Sequence, residues 1–390
     1  MNLAVIPYHD WRKILTEGSR TRDSHFINHF QKSKEIENLI IINRPITITE
    51  LFIKKRFKRI DGEILYKEKG CKLIKIANSC YVIDFLSNDF INHILLKRDW
   101  YFKAYCDDFF VSFIKKSYNF LNIKDINYIS YNIYSAFLFN KLIPENLLFD
   151  AWDNYAKFPF SEDHLKKIKL AYHCFAKCTD KWSTNSIDNM KYYQNHYGVS
   201  DINVIKNGVD LNEFQNVVFI KPTDIDKLQS PVIGFGGKIT YLFDVKLYNY
   251  LLKNNKDKTF VIVGQIIDKK IFNQINKSDN FFYLGDKHYS VYPLYVQSFD
   301  ICIVPYLVGD KAHGGDSIKA YEFLAAGKKT VGTSGNGLLN LKEYLYLHDS
   351  FSDFSDELSS TVNEKRNFDS QEYSWQQKSE ISLEILNNKK

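Results

Sequence analysis

Along the chain, apolar residues gather in short unbroken runs, and between those runs they recur at helical spacing. An unbroken run is what a strand covered on both faces needs. A spaced stripe is what a helix lying on that sheet needs. Residues 2–8 and 38–43, the latter containing Leu39-Ile-Ile-Ile42, predict the first two strands, and a helical pattern through Phe26, Ile27 and Phe30 lies between them. This βαβ opening predicts a parallel sheet whose ligands bind beyond the C-terminal strand ends. Tyr81-Val-Ile-Asp-Phe85, Tyr128-Ile-Ser-Tyr-Asn-Ile133 and Leu147-Leu-Phe-Asp150 supply further runs, and 164–180 is helical in pattern.

Residues 215–230 are irregular, with alternating charge, Pro222 inside and Pro231 just beyond. A second series of βαβ units follows. Its strands are expected at 232–238, 259–264, 281–285 and 300–306, and its helices at 244–253 and 290–298. Residues 313–332 then read as loop, helix, turn and strand: His313-Gly314-Gly315, the N-cap types Asp316 and Ser317, an apolar stripe through Ile318, Tyr321, Leu324 and Ala325, and the stop signal Gly327. The expected organisation is an N-terminal α/β domain over 1–215, a linker over 216–230, a second α/β domain over 231–370, and a C-terminal helix over 371–390.

Composition narrows the class. A chain of 390 residues with 45% hydrophobic and 25% charged residues suits two soluble domains. The net charge of +6 is mild for nucleic-acid binding and fits an anionic small ligand or an anionic membrane surface. Six scattered cysteines suggest neither a disulfide framework nor a metal site. The N-terminus lacks the pattern of a signal peptide, and there is no apolar run of spanning length, so a cytoplasmic protein is expected.

Several residues carry candidate chemistry. Lys319 and Glu322 lie three apart near a helix N-terminus, where free N–H groups and positive partial charge favour phosphate. Lys319 would add a cation, and Glu322 would accept hydrogen bonds from two ribose hydroxyls; the alternative is a surface ion pair. The loop at 17–25 offers Arg20, Arg22 and His25 as acceptor or phosphate contacts, or is simply solvated. Residues 47–60 intersperse apolar and basic side chains and predict either a membrane-surface helix or an ordinary basic one. Asp153, after the strand ending at Asp150, is a candidate general base toward an acceptor hydroxyl, or an Asx turn. No dinucleotide fingerprint follows the first strand, and Gly234-Phe-Gly-Gly-Lys238 fails the nucleoside-triphosphate loop pattern because Val232 and Ile239 stand at its required positions. No cofactor and no metal are therefore expected.

Asp316-Ser-Ile-Lys319-Ala-Tyr-Glu322-Phe-Leu-Ala-Ala-Gly327-Lys-Lys-Thr-Val resembles the donor-nucleotide motif of GT-B glycosyltransferases, especially glycosyltransferase family 4, and the Asp-rich strand end at Leu147-Leu-Phe-Asp150-Ala-Trp-Asp153 is similar to that of teichuronic-acid and capsule-biosynthesis glycosyltransferases. Ser317 and Lys329 stand where that motif has proline, and Gly314 stands where its fuller form has a further glutamate. Asn207-Gly-Val-Asp210-Leu-Asn-Glu-Phe214 is similar to the family's turn closing the N-terminal domain. The resemblance covers most of 197–390 and is thin over 1–150. It implies a GT-B fold: two Rossmann-like α/β domains with parallel sheets facing a central cleft, acceptor on the N-terminal domain, donor on the C-terminal one, and the last helix packing back on the first. It implies sugar transfer from a nucleotide-diphosphate sugar, UDP-sugar foremost, to a cell-surface polysaccharide or lipid-linked saccharide. That transfer is expected to be metal-independent and, by family, retaining. Donor contacts are expected from Gly236, Lys238, His288, Gly314, Gly315, Asp316, Ser317, Lys319 and Glu322. Acceptor contacts are expected from Arg20 and Arg22, with Asp153 or His25 catalytic. The location is expected to be cytoplasmic, with peripheral contact at the inner face of the bacterial plasma membrane. A sugar-nucleotide epimerase on the same fold and a non-catalytic nucleotide-sugar-binding scaffold stand as alternatives.

Overall fold

A computed structural model describes residues 1–54, 58–215, 218–309, 315–360 and 368–388. The chain divides into two compact units: Met1–Ile205 with Ser379–Lys390, and Lys206–Lys378.

Unit 1 contains strands β1 (Asn2–Ile6), β2 (Asn38–Ile42), β3 (Ile46–Thr47), β4 (Glu63–Glu68), β5 (Cys71–Ala77), β6 (Cys80–Ser87), β7 (Ile126–Ser130), β8 (Leu147–Asp150), β9 (Trp182–Thr184) and β10 (Ile202–Val204). Their order across the sheet is β10-β9-β8-β7-β1-β2-β6-β5-β4, and β3 pairs with the end of β6. The pairs from β10 to β6 are parallel, while β5 pairs antiparallel with both β4 and β6. Leu3 to Ile6 and Ile40 to Ile42 are fully buried, as the unbroken runs require. Each such side chain contributes about 1.5–3 kcal/mol by leaving water. The antiparallel edge departs from the parallel expectation. Lys69 and Gly70, with φ of 41° and 85°, make its two-residue turn, and no residue of β4 is fully buried, so β4 has no apolar run to read.

Unit 2 contains β11 (Val232–Gly236), β12 (Thr259–Val263), β13 (Phe281–Tyr283), β14 (Ile301–Val304), β15 (Lys329–Gly332) and β16 (Tyr346–Leu347), in the order β13-β12-β11-β14-β15-β16 and parallel throughout.

Three stretches differ from the sequence reading. Within the expected 17–25 loop, Glu17 ends one helix and residues 22–25 begin another, Arg22–Phe30, because Thr21 and Ser24 form a reciprocal capping box at its start. The expected linker is packed rather than free over its described part. Ile225, on the helical turn Thr223–Asp226, is fully buried in the unit 2 core, and Asp224 pairs with Lys287 at 2.8 Å and accepts from Tyr295. Within 47–60, the helix covers Ile48–Ile53 and Ile60 is buried, while residues 55–57 lie outside the described residues. The last helix, Trp375–Asn387, carries the chain from unit 2 into unit 1, where Asn146 Nδ2 and Lys181 Nζ donate to the Leu386 carbonyl at 2.8 and 2.6 Å.

Candidate functional site

In unit 2 the chain lays β12 and β13 outward on one side of β11, then returns to place β14 on the other side. The C-terminal ends of β11 and β14 therefore border the crevice where a doubly wound sheet takes its ligands. Gly236 ends β11 and Gly237-Lys238 follows it, and Pro305-Tyr306 follows β14. The helix Ile318–Ala325 delivers Lys319 to the same place. Its Nζ donates to the Tyr306 hydroxyl and stands 4.8 Å over the Tyr306 ring and 5.6 Å from the centre of Phe235. Gly237, at φ 142°, permits this approach: a Cβ there would sit 2.4 Å from Lys319 Cε. Glu322, one turn on, is buried, and its Oε1 accepts a 2.7 Å hydrogen bond from the Tyr289 hydroxyl. Burial first, then the Glu322 charge, pushes the Tyr289 phenol well above its ordinary value, so it donates. Ser317 is the N-cap of this helix, and its buried Oγ has no hydrogen-bond partner among the described residues. Backbone amides, one cation and close glycine backbone make a site suited to a diphosphate. Among the described residues, no group of His, Cys, Asp and Glu is placed to hold a metal ion.

The other expected donor residues fall differently. Asp316 is buried and occupied within unit 2. Its carboxylate accepts from the Asn207 backbone N–H at 2.6 Å and from the Tyr321 hydroxyl at 2.8 Å, and Asn207 Nδ2 donates to its carbonyl at 2.8 Å. It acts as a clasp between the Asn207-Gly208 turn and the start of the Lys319 helix, a role its residue type alone did not reveal. Gly315 is buried, and its carbonyl would lie 2.0 Å from a Cβ on Gly337. Lys238 is half-buried after β11. His288 is exposed, with Nδ1 2.8 Å from Ser290 Oγ, just before Tyr289. Gly314 lies outside the described residues.

Unit 1 has a crevice of the same origin. The chain reaches β2 on one side of β1 and later β7 on the other. A pocket of about 350 Å³ opens there, lined by Tyr8, His9, Asp10, Lys13, Arg44, Lys54, His93, Lys97, Arg98, Tyr101 and Tyr134. Tyr8 to Asp10 follow β1, Arg44 follows β2, and Tyr134 follows β7, so strand-end geometry assembles it. Five Lys or Arg side chains face it against the single carboxylate of Asp10. Arg44 donates to Glu50 at 2.6 Å, packs 4.6 Å over Tyr101, and has a buried Nε without a partner among the described residues. Lys13 pairs with Glu17 at 2.6 Å. Lys97 and Arg98 have no carboxylate partner among the described residues; Arg98 lies 5.0 Å over the Phe160 ring. Arg44, Lys97 and Arg98 were missed from sequence, and Lys54 was noticed only as one of the basic side chains of the 47–60 stretch. Of the three missed residues, Arg44 alone had a usable signal, its position just after a strand end.

The expected acceptor-side residues divide. Arg22 is fully buried and forks onto Asp150 at 3.2 and 2.8 Å, with Ser183 also donating to that carboxylate. It braces the ends of β8 and β9 and is not presented to a ligand. His25 is buried, and burial first, then nearby His29, lowers its pKa to about 3, so it stays neutral inside the fold instead of reaching substrate. Arg20 is half-buried and pairs with Glu17 at 2.6 Å. Asp153 is half-buried after β8, and its carbonyl accepts from the Tyr172 and Tyr193 hydroxyls at 3.1 Å each. Its neighbours Trp152 and Tyr155 pack against Tyr8 of the pocket wall, with ring centres 6.0 and 5.3 Å away.

No family model matches the chain. One curated relative is TuaH of Bacillus subtilis (strain 168), named for teichuronic acid biosynthesis as a glycosyltransferase. It is 28% identical over 140 residues, which is 35% of this chain and 35% of that protein. Among solved structures, an apo OtsA superposes with a TM-score of 0.66 at 11% identity over all of both chains. Anabaena HepE, in complex with UDP, superposes at 0.59 and 11% over 99% of this chain and 96% of that one. An Escherichia coli trehalose-6-phosphate protein bound with UDP-2-fluoro glucose superposes at 0.62 and 11% over 99% and 96%. The chain has the α/β fold with parallel sheets of the GT-B glycosyltransferases.

Proposed function

We propose that this protein is a glycosyltransferase that moves a sugar from a UDP-sugar, bound on unit 2, to a saccharide acceptor bound on unit 1. The observation that carries the reading is the placement of Lys319, seated by Gly237 and Tyr306 at the crevice of the second sheet, with Glu322 buried one turn behind it. Charge grows on the departing diphosphate as the glycosidic bond breaks. Lys319, with Lys238 and the N–H groups that begin its helix, is fitted to offset that charge without a metal. Glu322 is fitted to hold the ribose hydroxyls. The name of TuaH supports a polysaccharide product of the teichuronic acid kind, and the UDP and UDP-sugar complexes of HepE and the E. coli protein support a uridine donor; a cell-surface polysaccharide or lipid-linked acceptor belongs to the same reading. Of the two expected acceptor-side catalysts, Asp153 alone keeps partial exposure, and it is assigned the acceptor hydroxyl. The family resemblance favours retention of anomeric configuration, whereas a general base at Asp153 would favour inversion; peripheral contact with an anionic inner membrane surface belongs to this reading. Among the described residues no helix is long and apolar enough to cross a membrane.

Thermal shift against UDP, GDP, CDP, ADP and dTDP tests it. A diphosphate at about 100 times its Kd adds about 2.7 kcal/mol of stability. UDP should stabilise wild type and should stabilise Glu322→Ala much less. The variant should also lose roughly 30–150-fold in kcat/KM, the equivalent of about 2–3 kcal/mol of charge-assisted hydrogen bonding. Stabilisation by none of the diphosphates would return the Lys319 helix to a purely structural role.

A further inference from the structure

A phenol carries one proton and two lone pairs, so whatever takes its proton decides what its oxygen offers elsewhere. Tyr134 stands on the turn Ile133–Leu138 after β7 and forms part of the unit 1 pocket wall. Behind it lies His164, buried on the helix Glu162–Cys178, with Nε2 3.2 Å from the Tyr134 hydroxyl and Nδ1 2.5 Å from Asp99 Oδ1. Phe102 and Phe160 flank the imidazole, with ring centres 6.4 and 4.7 Å away. A carboxylate only accepts, so Asp99 holds the proton of the neutral imidazole on Nδ1 and leaves Nε2 as an acceptor. Tyr134 then donates backwards to Nε2. Burial first raises the Tyr134 phenol above its ordinary value, so it keeps the proton that it donates. Its oxygen faces the pocket as an acceptor, beside the Arg98 guanidinium, a donor. An acceptor and a donor side by side match a sugar hydroxyl, which gives one hydrogen bond and takes another.

A second phenol of the wall supplies the contrast. Tyr101 also donates away from the pocket, to Glu50 Oε2 at 2.8 Å. Glu50 titrates at about 2, so that bond keeps its direction in mild acid. Histidine behaves differently. Once both ring nitrogens carry protons, Nε2 donates to the Tyr134 oxygen instead of accepting from it. The phenolic proton then turns toward the pocket, where Arg98 already donates, and the match to a hydroxyl's own proton is lost. Among the described residues, the charged and titratable groups that face the pair are Asp99 and Arg98 on the turn before the helix Trp100–Tyr105, Lys167 on the Asp99 carboxylate at 2.6 Å, and the phenols of Tyr8 and Tyr101.

We infer that Tyr134 positions the acceptor of the transfer: its oxygen accepts a hydrogen bond from a hydroxyl of the sugar in the unit 1 pocket, and Asp99, acting through His164, fixes that direction until His164 gains a second proton. This rests on the glycosyltransferase reading and adds to it the residues that orient its acceptor.

Two NMR measurements on the full chain test it. Spectra of isotope-labelled histidine should show His164 as the Nδ1–H tautomer and give the pH at which it titrates. Ligand-observed titration with glucose, galactose and N-acetylglucosamine reads sugar binding. At least one should bind, and its affinity should fall roughly 3- to 10-fold as His164 takes its second proton, the loss of one hydrogen bond. Tyr134→Phe should bind that weakly throughout. His164→Gln should stay within about threefold of wild type above the titration, because its amide oxygen accepts from Tyr134, and should lose the pH dependence. Asp99→Asn should bind weakly even where wild-type His164 is neutral: Lys167 takes the amide oxygen, the amide NH2 meets Nδ1, and the imidazole proton moves to Nε2. Each variant should keep the wild-type UDP thermal shift, which shows that it folds. An Nε2–H tautomer in wild type, an acid loss that survives in His164→Gln, or wild-type affinity in Asp99→Asn would overturn the inference. So would a protein that UDP stabilises and that binds none of the three sugars. Loss of the UDP shift with the sugar and tautomer results intact would instead sink the donor assignment and leave the sugar subsite standing.

Discussion

At the scale of single residues, burial and chemistry separate side chains that look alike in sequence. Arg20 and Arg22 are two apart, yet Arg22 is fully buried on Asp150 and Arg20 is half-buried on Glu17. Nothing in their spacing distinguishes them, because the partner of Arg22 lies 128 positions away. Arg22→Ala should leave Asp150 charged and uncompensated in the interior and cost about 3–5 kcal/mol. Urea unfolding should show a lower midpoint with UDP affinity unchanged, and a wild-type midpoint would mean that Ser183 suffices for Asp150. Gly237 tests the donor side. Alanine there would meet Lys319 Cε and adopt a backbone conformation that side chains avoid. The long lysine side chain can retreat, so the expected loss is in ligand binding more than in folding: about tenfold or more in UDP affinity by calorimetry, for a side chain displaced by about 1 Å. Undiminished UDP affinity would detach Lys319 from the diphosphate. Lys319 and Glu322 were legible as candidates because a helix N-terminus has known chemistry. Tyr289, which holds Glu322, was not, because it arrives from a turn 33 positions away.

At the scale of elements, the sequence was most readable where strands are buried on both faces and least readable at the edge. β1, β2, β8, β11, β12 and β14 begin or end within a few residues of their apolar runs. β4 and β5 passed unnoticed because a half-covered edge pair needs no continuous apolar run. The helix Ile48–Ile53 shows how a short element is held without a core of its own. Its single buried side chain is Glu50, which accepts from Arg44 at 2.6 Å and Tyr101 at 2.8 Å and pairs with Lys54. Burial alone would raise Glu50, but Arg44 and Lys54 outweigh it and bring its pKa from 4.5 to about 2. A carboxylate depressed in the folded state contributes stability above its unfolded value and loses it as pH falls through the folded value. The window is therefore pH 4.5 down to about 2, and the contribution is about 3 kcal/mol. Glu50→Gln should unfold more readily than wild type at pH 7, and the two midpoints should converge as pH drops below 4.5. Parallel pH profiles would show that the charge on Glu50 does not hold this helix.

At the scale of the whole molecule, one chain-tracing rule has been used twice. In each sheet the first strand is flanked by its successor on one side and by a later strand on the other, and each crevice collects the side chains that suit an anion. In unit 2 these are glycine backbone, Lys319 and a helix start; in unit 1 they are Arg44, Lys97, Arg98 and a tyrosine wall. The strand rule pointed to strand-end crevices, but in unit 1 it was attached to residues 17–25, none of which lines the pocket, and the unit 1 chemistry was hidden because its cations come from strand-end and helix-end segments far apart in sequence. This division of labour has a consequence for the ligand-bound protein. Each unit has its own buried core, so each has its own opening reactions through which amides exchange. A ligand slows only those openings that destroy its site, by a factor close to 1 + [L]/Kd. UDP at about 100 times its Kd should therefore slow exchange roughly 100-fold in β11 and β14, at Val232–Gly236 and Ile301–Val304, while the equally buried amides of Leu3–Ile6 keep their unliganded rates. Equal slowing in both sheets would mean that the units open as one cooperative body. Slowing confined to β1 would place the nucleotide on unit 1 and reverse the donor and acceptor assignments argued from Lys319 and Arg98.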